Sequence, residues 1–170
     1  MAKRTRDAEF TEYVTSRSSW LRKVAYLLCG DWHRADDLVQ ETITKLYVHW
    51  SKASRATNLD GYARRTLANT FLAEQRTSWW RRTVRTGAER DIAAEGIDLD
   101  VSLDLRQALA ALPPRQRATV VLRYYCDLSI DQTAEALNCS SGNVKSQSAR
   151  ALDTLRRTFV PAPAVAERMS

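Results

Sequence analysis

Residues 129–157 read SIDQTAEALNCSSGNVKSQSARALDTLRR, two amphipathic segments separated by the short polar turn CSSG. Ser129 and Gln132 have the spacing of a capping box, which predicts a helix that begins at Ser129 and ends near Asn138. In the turn, Gly142 can adopt a backbone conformation that other residues avoid. A second amphipathic helix follows at once. The pattern predicts a helix-turn-helix.

The second helix of this motif, predicted from about Asn143 to Arg157, has polar and basic side chains in its first two turns. In a major groove, Gln pairs with adenine, Arg and Lys bind guanine or phosphate, and Ser can hydrogen-bond to either kind of partner. The alternative is a simple helical hairpin with a polar outer face. The residues predicted to contact duplex DNA on this basis are Lys145, Ser146, Gln147 and Arg150.

Helical periodicity and scarce turn residues, 5 Gly and 4 Pro, predict an all-α fold over the rest of the chain. Gly30 should end the first helix, with Asp31 or Asp36 as the cap of the next. Pro113-Pro114 should separate two further helices. The predicted helices are 8–29, 34–50, 59–82, 102–111 and 114–126, with a loop at 51–58.

Two opposed stripes run along the helix at 34–50. The predicted buried stripe is Leu38, Val39, Thr42, Ile43, Leu46, Tyr47 and Trp50. The predicted exposed stripe is Asp37, Gln40, Glu41, Thr44 and Lys45.

The helix at 59–82 places Leu59, Ala63, Leu67 and Phe71 inward and a mixed basic and aromatic stripe outward. Basic side chains follow phosphates, and aromatic rings stack on unpaired bases, so the outer stripe suits single-stranded DNA. The alternative is an interfacial helix whose tryptophans are buried against the bundle. The outer stripe consists of Tyr62, Arg65, Asn69, Arg76 and Trp80.

Charge divides the chain into parts. The net charge is +6, with a pI near 9.5, which suits a polyanionic partner. Residues 83–101 have a net charge of −3 and no apolar periodicity, and the flanking blocks are basic. We therefore predict two small helical domains at 8–82 and 102–158, joined by an acidic linker at 83–101, with a mobile tail at 159–170.

Several classes of function are excluded on composition. Cys29, Cys126 and Cys139 form no C-x-x-C pair, and two histidines, His33 and His49, do not supply a catalytic or metal cluster. There is no Walker sequence, signal peptide or apolar run of about 18 residues. We predict a cytoplasmic protein that is not an enzyme, with no catalytic residues, metal or cofactor and no membrane span.

Two motifs together resemble a known family. DDLVQETITKLY and LDGYARRTLANTFLAEQRTSWWRR are followed by the acidic segment, and then by LPPRQRATVVLRYYCDLSIDQTAEAL and NCSSGNVKSQSARALDTLR. Their order is similar to that of the extracytoplasmic-function subclass of bacterial sigma-70 factors. Region 2 of that family would lie at 8–82 and region 4 at 102–158.

The resemblance implies a role for each segment. The 34–50 helix would dock on the clamp coiled coil of core RNA polymerase through Asp37, Gln40 and Glu41. The 59–82 helix would recognise the minus-ten element, and the 51–58 loop would capture a flipped base. The acidic linker would thread the RNA channel of the polymerase, where its charge mimics nucleic acid.

The last helix would read the minus-thirty-five element as duplex. Asn143 joins its DNA-contacting residues by resemblance, although the family commonly has threonine there. Gln147 and Ser148 replace a basic and a bulkier residue, which affects the promoter sequence rather than the function. Family members often have an anti-sigma factor as partner. The rival hypotheses are a self-sufficient helix-turn-helix regulator, which needs no polymerase, and an enzyme such as a helical nuclease or metal-dependent hydrolase.

Overall fold

The computed structural model describes residues 2–84 and 103–159, except for the side chains of 78–84 and Phe159. Within those two ranges every regular element is helical, which confirms the all-α class. The predicted linker at 83–101 and the predicted tail lie almost wholly outside the described residues. The helices are α1 (Ala2–Cys29), α2 (Trp32–Val48), α3 (Trp50–Ala53), α4 (Leu59–Val84), α5 (Leu103–Ala111), α6 (Pro114–Val120), α7 (Ile130–Leu137) and α8 (Ser141–Phe159), with a π-helical segment (Val121–Tyr125) that continues α6.

The turn between α1 and α2 forms as predicted. Gly30 has a φ of +75°, a conformation that favours glycine, and its N–H donates to the Tyr26 carbonyl at 2.7 Å. Asp31 then caps α2, because its carboxylate accepts the His33 N–H at 2.9 Å. Of the two caps considered, Asp31 is therefore the one used.

Helix α1 begins at Ala2 rather than at residue 8, and contacts with α2 explain the extra turns. The Arg6 Nη2 donates to the Tyr47 carbonyl at 3.0 Å, and the Tyr47 hydroxyl donates to Asp7 Oδ1 at 3.2 Å. The prediction that Tyr47 is buried is wrong: 41% of it is exposed. Its ring lies at the edge of the stripe, where it contacts Phe10 and directs its hydroxyl toward Asp7 of α1.

The rest of the stripe is buried as predicted, except for Ile43. Leu38 and Leu46 are fully buried, and Ile43 is half-buried. The loop predicted at 51–58 contains one turn of helix, α3, in which Trp50 and Ala53 are buried. A four-residue helix is too short for periodicity to reveal it.

The helix-turn-helix is confirmed, with one correction. The Ser129 and Gln132 capping box forms in both directions, at 3.0 and 2.8 Å. Gly142 is not the residue in the special conformation: it lies inside the first turn of α8. Asn138 adopts the left-handed conformation instead, with φ 53° and ψ 53°, which asparagine tolerates at a helix end.

The helix predicted at 114–126 changes character halfway. The Cys126 N–H donates to the Val121 carbonyl, five residues earlier, at 3.0 Å. The last turn is therefore π-helical. Asp127 then reverses the chain with a φ of 59°. Tyr124 and Tyr125, which belong to this π-helical segment, are exposed at the surface of the C-terminal half.

The N-terminal and C-terminal halves share one hydrophobic core. The Arg117 Nη1 donates to the Leu28 carbonyl at 2.6 Å, and the Arg106 Nη1 donates to the Gly30 carbonyl at 2.8 Å. Both carbonyls belong to the end of α1, where helices leave acceptors without intrahelical partners. The Arg guanidinium groups of one half therefore cap a helix of the other.

The cysteines are free thiols in half-buried positions. Burial raises the pKa of Cys29 to about 12 and that of Cys126 to about 11, so both thiols stay protonated at neutral pH. Among the described residues no three His, Cys, Asp or Glu side chains cluster as metal ligands would. Over the same residues, no helix is long and apolar enough to cross a membrane.

Candidate nucleic-acid interface

The start of α4 is fixed by a local cap. Asn58 Oδ1 accepts the Gly61 N–H at 2.9 Å, and the Asn58 carbonyl accepts the Tyr62 N–H at 3.0 Å. A Cβ on Gly61 would lie 2.9 Å from the Asn58 amide nitrogen, so a larger residue would disturb this cap. The cap therefore fixes the first turn of α4, which carries Tyr62.

Contacts with α1 hold the same end of α4. The Tyr13 hydroxyl donates to Asp60 Oδ1 at 2.8 Å, and Arg17 Nε donates to the same oxygen at 3.1 Å. Burial, together with the nearby Asp60 carboxylate, raises the pKa of Tyr13 above its ordinary value. Tyr13 therefore remains a hydrogen-bond donor at every physiological pH.

Helix α3 is anchored by its tryptophan. Trp50 is 3% exposed, and its ring lies edge-on to Phe10 at 5.4 Å and tilted against Tyr13 at 5.8 Å. One turn further, the Arg55 Nε donates to the Ser51 carbonyl at 2.8 Å. The anchor and this bond direct the basic end of α3 toward α4.

Between α3 and α4 lies a cavity of about 640 Å³, which we call the base cavity. It brings the predicted capture loop and the predicted outer stripe of α4 to one place. Its lining residues are Lys52, Arg55, Ala56, Tyr62, Arg65, Thr66 and Asn69.

The lining of the base cavity combines three cations with an aromatic ring and an amide. Lys52, Arg55 and Arg65 supply positive charge, and no lining residue is acidic. Tyr62 is half-buried. Asn69 is exposed, and its side-chain amide offers both a hydrogen-bond donor and an acceptor. The set can hold a phosphate, stack a base and contact the edge of that base.

One predicted residue of the outer stripe, Arg76, lies apart from this cavity. Arg76 is exposed on the same stripe but lies about two helical turns beyond Asn69, outside the lining. The side chain of Trp80 falls outside the described residues. The loop was predicted from the sequence, but Lys52 and Arg55 were not singled out within it. The signal that could have identified them is the pair of cations three residues apart in SKASRATN.

The predicted duplex-reading residues lie on the open side of α8. Asn143, Lys145, Ser146 and Arg150 are exposed, and Gln147 is half-buried. Helix α8 begins at Ser141, capped by Ser140, whose Oγ accepts the Asn143 N–H at 3.0 Å.

The opposite side of α8 packs inward. Val144 and Ala151 are fully buried, and Ser148 is 8% exposed. The Ser148 Oγ has no hydrogen-bond partner among the described residues. The Ser141 Oγ donates to Asp131 Oδ1 at 2.7 Å, which fixes α8 against α7.

The predicted polymerase-docking residues of α2 are all exposed: Asp37, Gln40 and Glu41. Sequence reasoning missed a neighbour, Glu74 of α4. Burial raises the pKa of Glu74, Arg34 opposes that shift, and the Glu41 and Asp37 carboxylates add to it. Glu74 therefore lies close to the exposed side of α2, where Arg34 pairs with Glu74 at 3.8 Å and Lys45 pairs with Glu41 at 3.6 Å.

Comparison with known proteins gives a consistent result. Residues 13–81 match the family description "Sigma-70 region 2", and residues 102–155 match "Sigma-70, region 4". The base cavity and the exposed side of α2 lie in the first match, and the exposed side of α8 lies in the second. The family consists of transcription regulators rather than catalysts.

Individual relatives agree. The RNA polymerase sigma-E factor of Streptomyces coelicolor is 36% identical over 89% of this chain and 86% of that protein. The ECF RNA polymerase sigma factor SigW of Bacillus subtilis is 26% identical over 87% of each chain. The solved structure of the sigma factor RpoE with the anti-sigma factor NepR from Bartonella quintana matches with a TM-score of 0.74 and 25% identity, over 89% of this chain and 96% of that one. The chain belongs to the sigma-70 family of RNA polymerase sigma factors, in its extracytoplasmic-function subclass.

Proposed function

We propose that this alternative RNA polymerase sigma factor divides promoter recognition between two surfaces. The base cavity holds an unstacked base of the minus-ten element on the non-template strand. The exposed side of α8 reads the minus-thirty-five element as duplex. The observation that carries the proposal is the lining of the base cavity, where three cations without a carboxylate surround Tyr62 and Asn69.

The energetics explain why the cavity works with an opened strand. Removing a base from the stack costs a few kcal/mol. Stacking that base on an aromatic ring returns about 1–3 kcal/mol, and cations nearby hold the phosphates. The two terms are comparable, so the cavity captures a base that has already left the duplex more readily than it opens the duplex alone.

Docking on core polymerase makes the capture of this base effective. In this proposal Asp37, Gln40 and Glu41 of α2 contact the clamp coiled coil, and Arg76 and Trp80 of α4 extend the minus-ten surface beyond the cavity. The acidic segment at 83–101 threads the RNA channel. All steps are binding steps, so the chain is a regulator and not an enzyme, and it acts in the cytoplasm on RNA polymerase.

An anti-sigma factor belongs to the same proposal. RpoE of Bartonella quintana, which shares the fold over nearly all of its length, was solved with the anti-sigma factor NepR. We expect a protein of that class to bind this chain and to compete with core polymerase.

Run-off transcription tests the proposed function. Purified core polymerase is incubated with genomic fragments, with and without the full-length chain, and discrete transcripts are expected only with the chain. A Lys52→Gln/Arg65→Gln double variant should lose most of that product, whereas Lys3→Gln/Arg4→Gln, an equal charge change at exposed positions outside the base cavity, should not. Specific duplex binding without any polymerase-dependent transcript would instead identify a self-sufficient helix-turn-helix regulator.

A further inference from the structure

A second cavity, of about 410 Å³, adjoins the base cavity, and Arg55 lines both. The roles assigned so far do not use it. The first turns of α1 form one side, and α3 with the residues that follow forms the other. The lining residues are Ala2, Thr5, Arg6, Glu9, Trp50, Ser51, Ser54 and Arg55.

Unsatisfied donors mark this second cavity. The Arg6 Nη2 donates to the Tyr47 carbonyl, but the Arg6 Nε is buried without a partner among the described residues. The indole Nε1 of Trp50 is in the same condition. Both groups are donors only, and buried donors without acceptors are rare in folded proteins. Because Arg6 lines the cavity, its incompletely satisfied guanidinium suits a ligand rich in acceptor oxygens.

The second cavity does not suit a base. A base-stacking site needs an accessible aromatic face. Trp50, the aromatic residue of this lining, is 3% exposed and already packs against Phe10 and Tyr13. By contrast, Tyr62 in the base cavity is half-buried.

The charge of the lining favours an anion. Arg6 and Arg55 supply two guanidinium groups, against one carboxylate from Glu9. Guanidinium groups form strong, directional hydrogen bonds with phosphate oxygens. The Ser51 and Ser54 hydroxyls add neutral donors at the rim.

We propose that the second cavity binds the phosphodiester of single-stranded DNA next to the nucleotide whose base occupies the base cavity. Arg6 and Arg55 are the ligands of the phosphate oxygens. The inference rests on the proposed function, because it places one strand across both cavities. Arg55 lines the two and is held by the Ser51 carbonyl, so it marks the point where the strand passes from one to the other.

The test measures binding of the full-length chain to a fluorescein-labelled dT 12-mer by fluorescence anisotropy over a range of salt concentrations. Arg6→Gln should weaken binding about tenfold at low salt, the loss of one charge-assisted contact. It should also make the slope of log affinity against log salt shallower by about 0.7, the value for one phosphate on a single strand. Arg4→Gln, an exposed arginine outside the lining, is the matched control and should leave the slope close to wild type.

Two more variants keep the result independent of Arg6 packing. Ser54→Asp adds a negative charge at the rim and should weaken binding without touching the Arg6 bond to Tyr47. Glu9→Gln removes the carboxylate and should strengthen binding about two- to threefold, since like charges near the phosphate are destabilising. Thermal melting of each variant reports whether the fold is retained.

The outcomes separate the second cavity from the base cavity. If Arg6→Gln has the same affinity and salt slope as Arg4→Gln, and Ser54→Asp leaves binding unchanged, the second cavity does not bind phosphate. If binding survives Tyr62→Ala at full strength, the base cavity fails instead. If the wild-type chain shows no binding to the 12-mer, both proposals are overturned.

Discussion

The base cavity and the exposed side of α8 carry similar charges and polar groups but differ in shape. The base cavity is concave, built between two helices, and contains an aromatic ring. The α8 surface is the outer side of a single helix and is therefore convex, and its five predicted reading residues include no aromatic side chain. A convex helix fits a major groove, whereas a concave site with an aromatic face accepts a base that has left the stack. In the proposed division of roles, shape and aromatic content, not net charge, therefore distinguish the single-strand surface from the duplex surface.

The two surfaces also differ in how they are supported. Helix α8 is held by contacts within the C-terminal half: the Ser140 cap, the Ser141 bond to Asp131 of α7, and the buried Val144 and Ala151. The base cavity depends on α1, α3 and α4 together, through Trp50 and through Asp60. We expect distant changes to disturb the base cavity more than the α8 surface.

The largest effect is expected from a variant that cannot bind core polymerase. Asp37→Lys/Glu41→Lys reverses two exposed charges of α2 and should abolish core binding and run-off transcription. Duplex binding through α8 should persist, because that surface is complete without polymerase. The measurement is core affinity by anisotropy with transcription alongside. Glu12→Lys/Asp104→Lys, the same charge change at two other exposed acids, is the control; equal loss in both double variants would contradict the assignment of α2.

The second prediction tests α8 as a duplex reader. Arg150→Ala should cost about 1–3 kcal/mol on the native upstream element and relax specificity at one base pair. Lys145→Ala should weaken all duplexes alike and reduce the salt slope by about one unit, as expected for a phosphate contact. Electrophoretic mobility shifts over a set of single-base variants separate the two. Arg157→Ala is the control, since Arg157 lies at the end of α8, paired with Asp153 at 2.9 Å.

Much of the α8 surface could be predicted from sequence because its determinants are local. The capping box at Ser129, the turn and the outward residues all lie within one stretch of chain, so helical periodicity places them. The error was at the turn itself. Glycine is the usual left-handed residue, and the composition gave no reason to prefer Asn138 over Gly142.

The base cavity could be predicted only in part because its determinants are distant in sequence. Periodicity placed Tyr62, Arg65 and Asn69 on one stripe, but α3 is a single turn without a detectable period. The position of Lys52 and Arg55 depends on Trp50 packing against α1, a contact about 40 residues away in the chain that no local pattern encodes. Tyr47 was misplaced for the same reason, since its partners lie in the first turns of α1.

The third prediction tests how the base cavity divides affinity from selectivity. Tyr62→Ala should cost about 1–3 kcal/mol on single strands of any sequence, because stacking tolerates every base. Asn69→Ala should cost about 1 kcal/mol and mainly reduce the difference between sequences, because an amide reads base edges. Labelled oligonucleotides of varied sequence, single-stranded and duplex, provide the measurement. The full chain is used because Arg117 and Arg106 join the two halves. If Asn69→Ala lowered all affinities equally, the amide would have no reading role.

The smallest effect is expected from two matched substitutions in α8, Ser146→Ala on its exposed side and Ser148→Ala on its buried side. Both substitutions change helix propensity equally, so any difference reports the environment of the hydroxyl. Ser148 is 8% exposed with an unpartnered Oγ, and removing a buried hydroxyl without a partner should stabilise the fold by about 1 kcal/mol or less. That gain corresponds to a rise in Tm of about 1–4 °C by calorimetry, with duplex affinity unchanged. Ser146 is exposed, so Ser146→Ala should change the Tm only through helix propensity. It should also weaken duplex binding. The reverse pattern, with DNA affinity lost at Ser148 and stability altered at Ser146, would mean that α8 presents its other side to the groove.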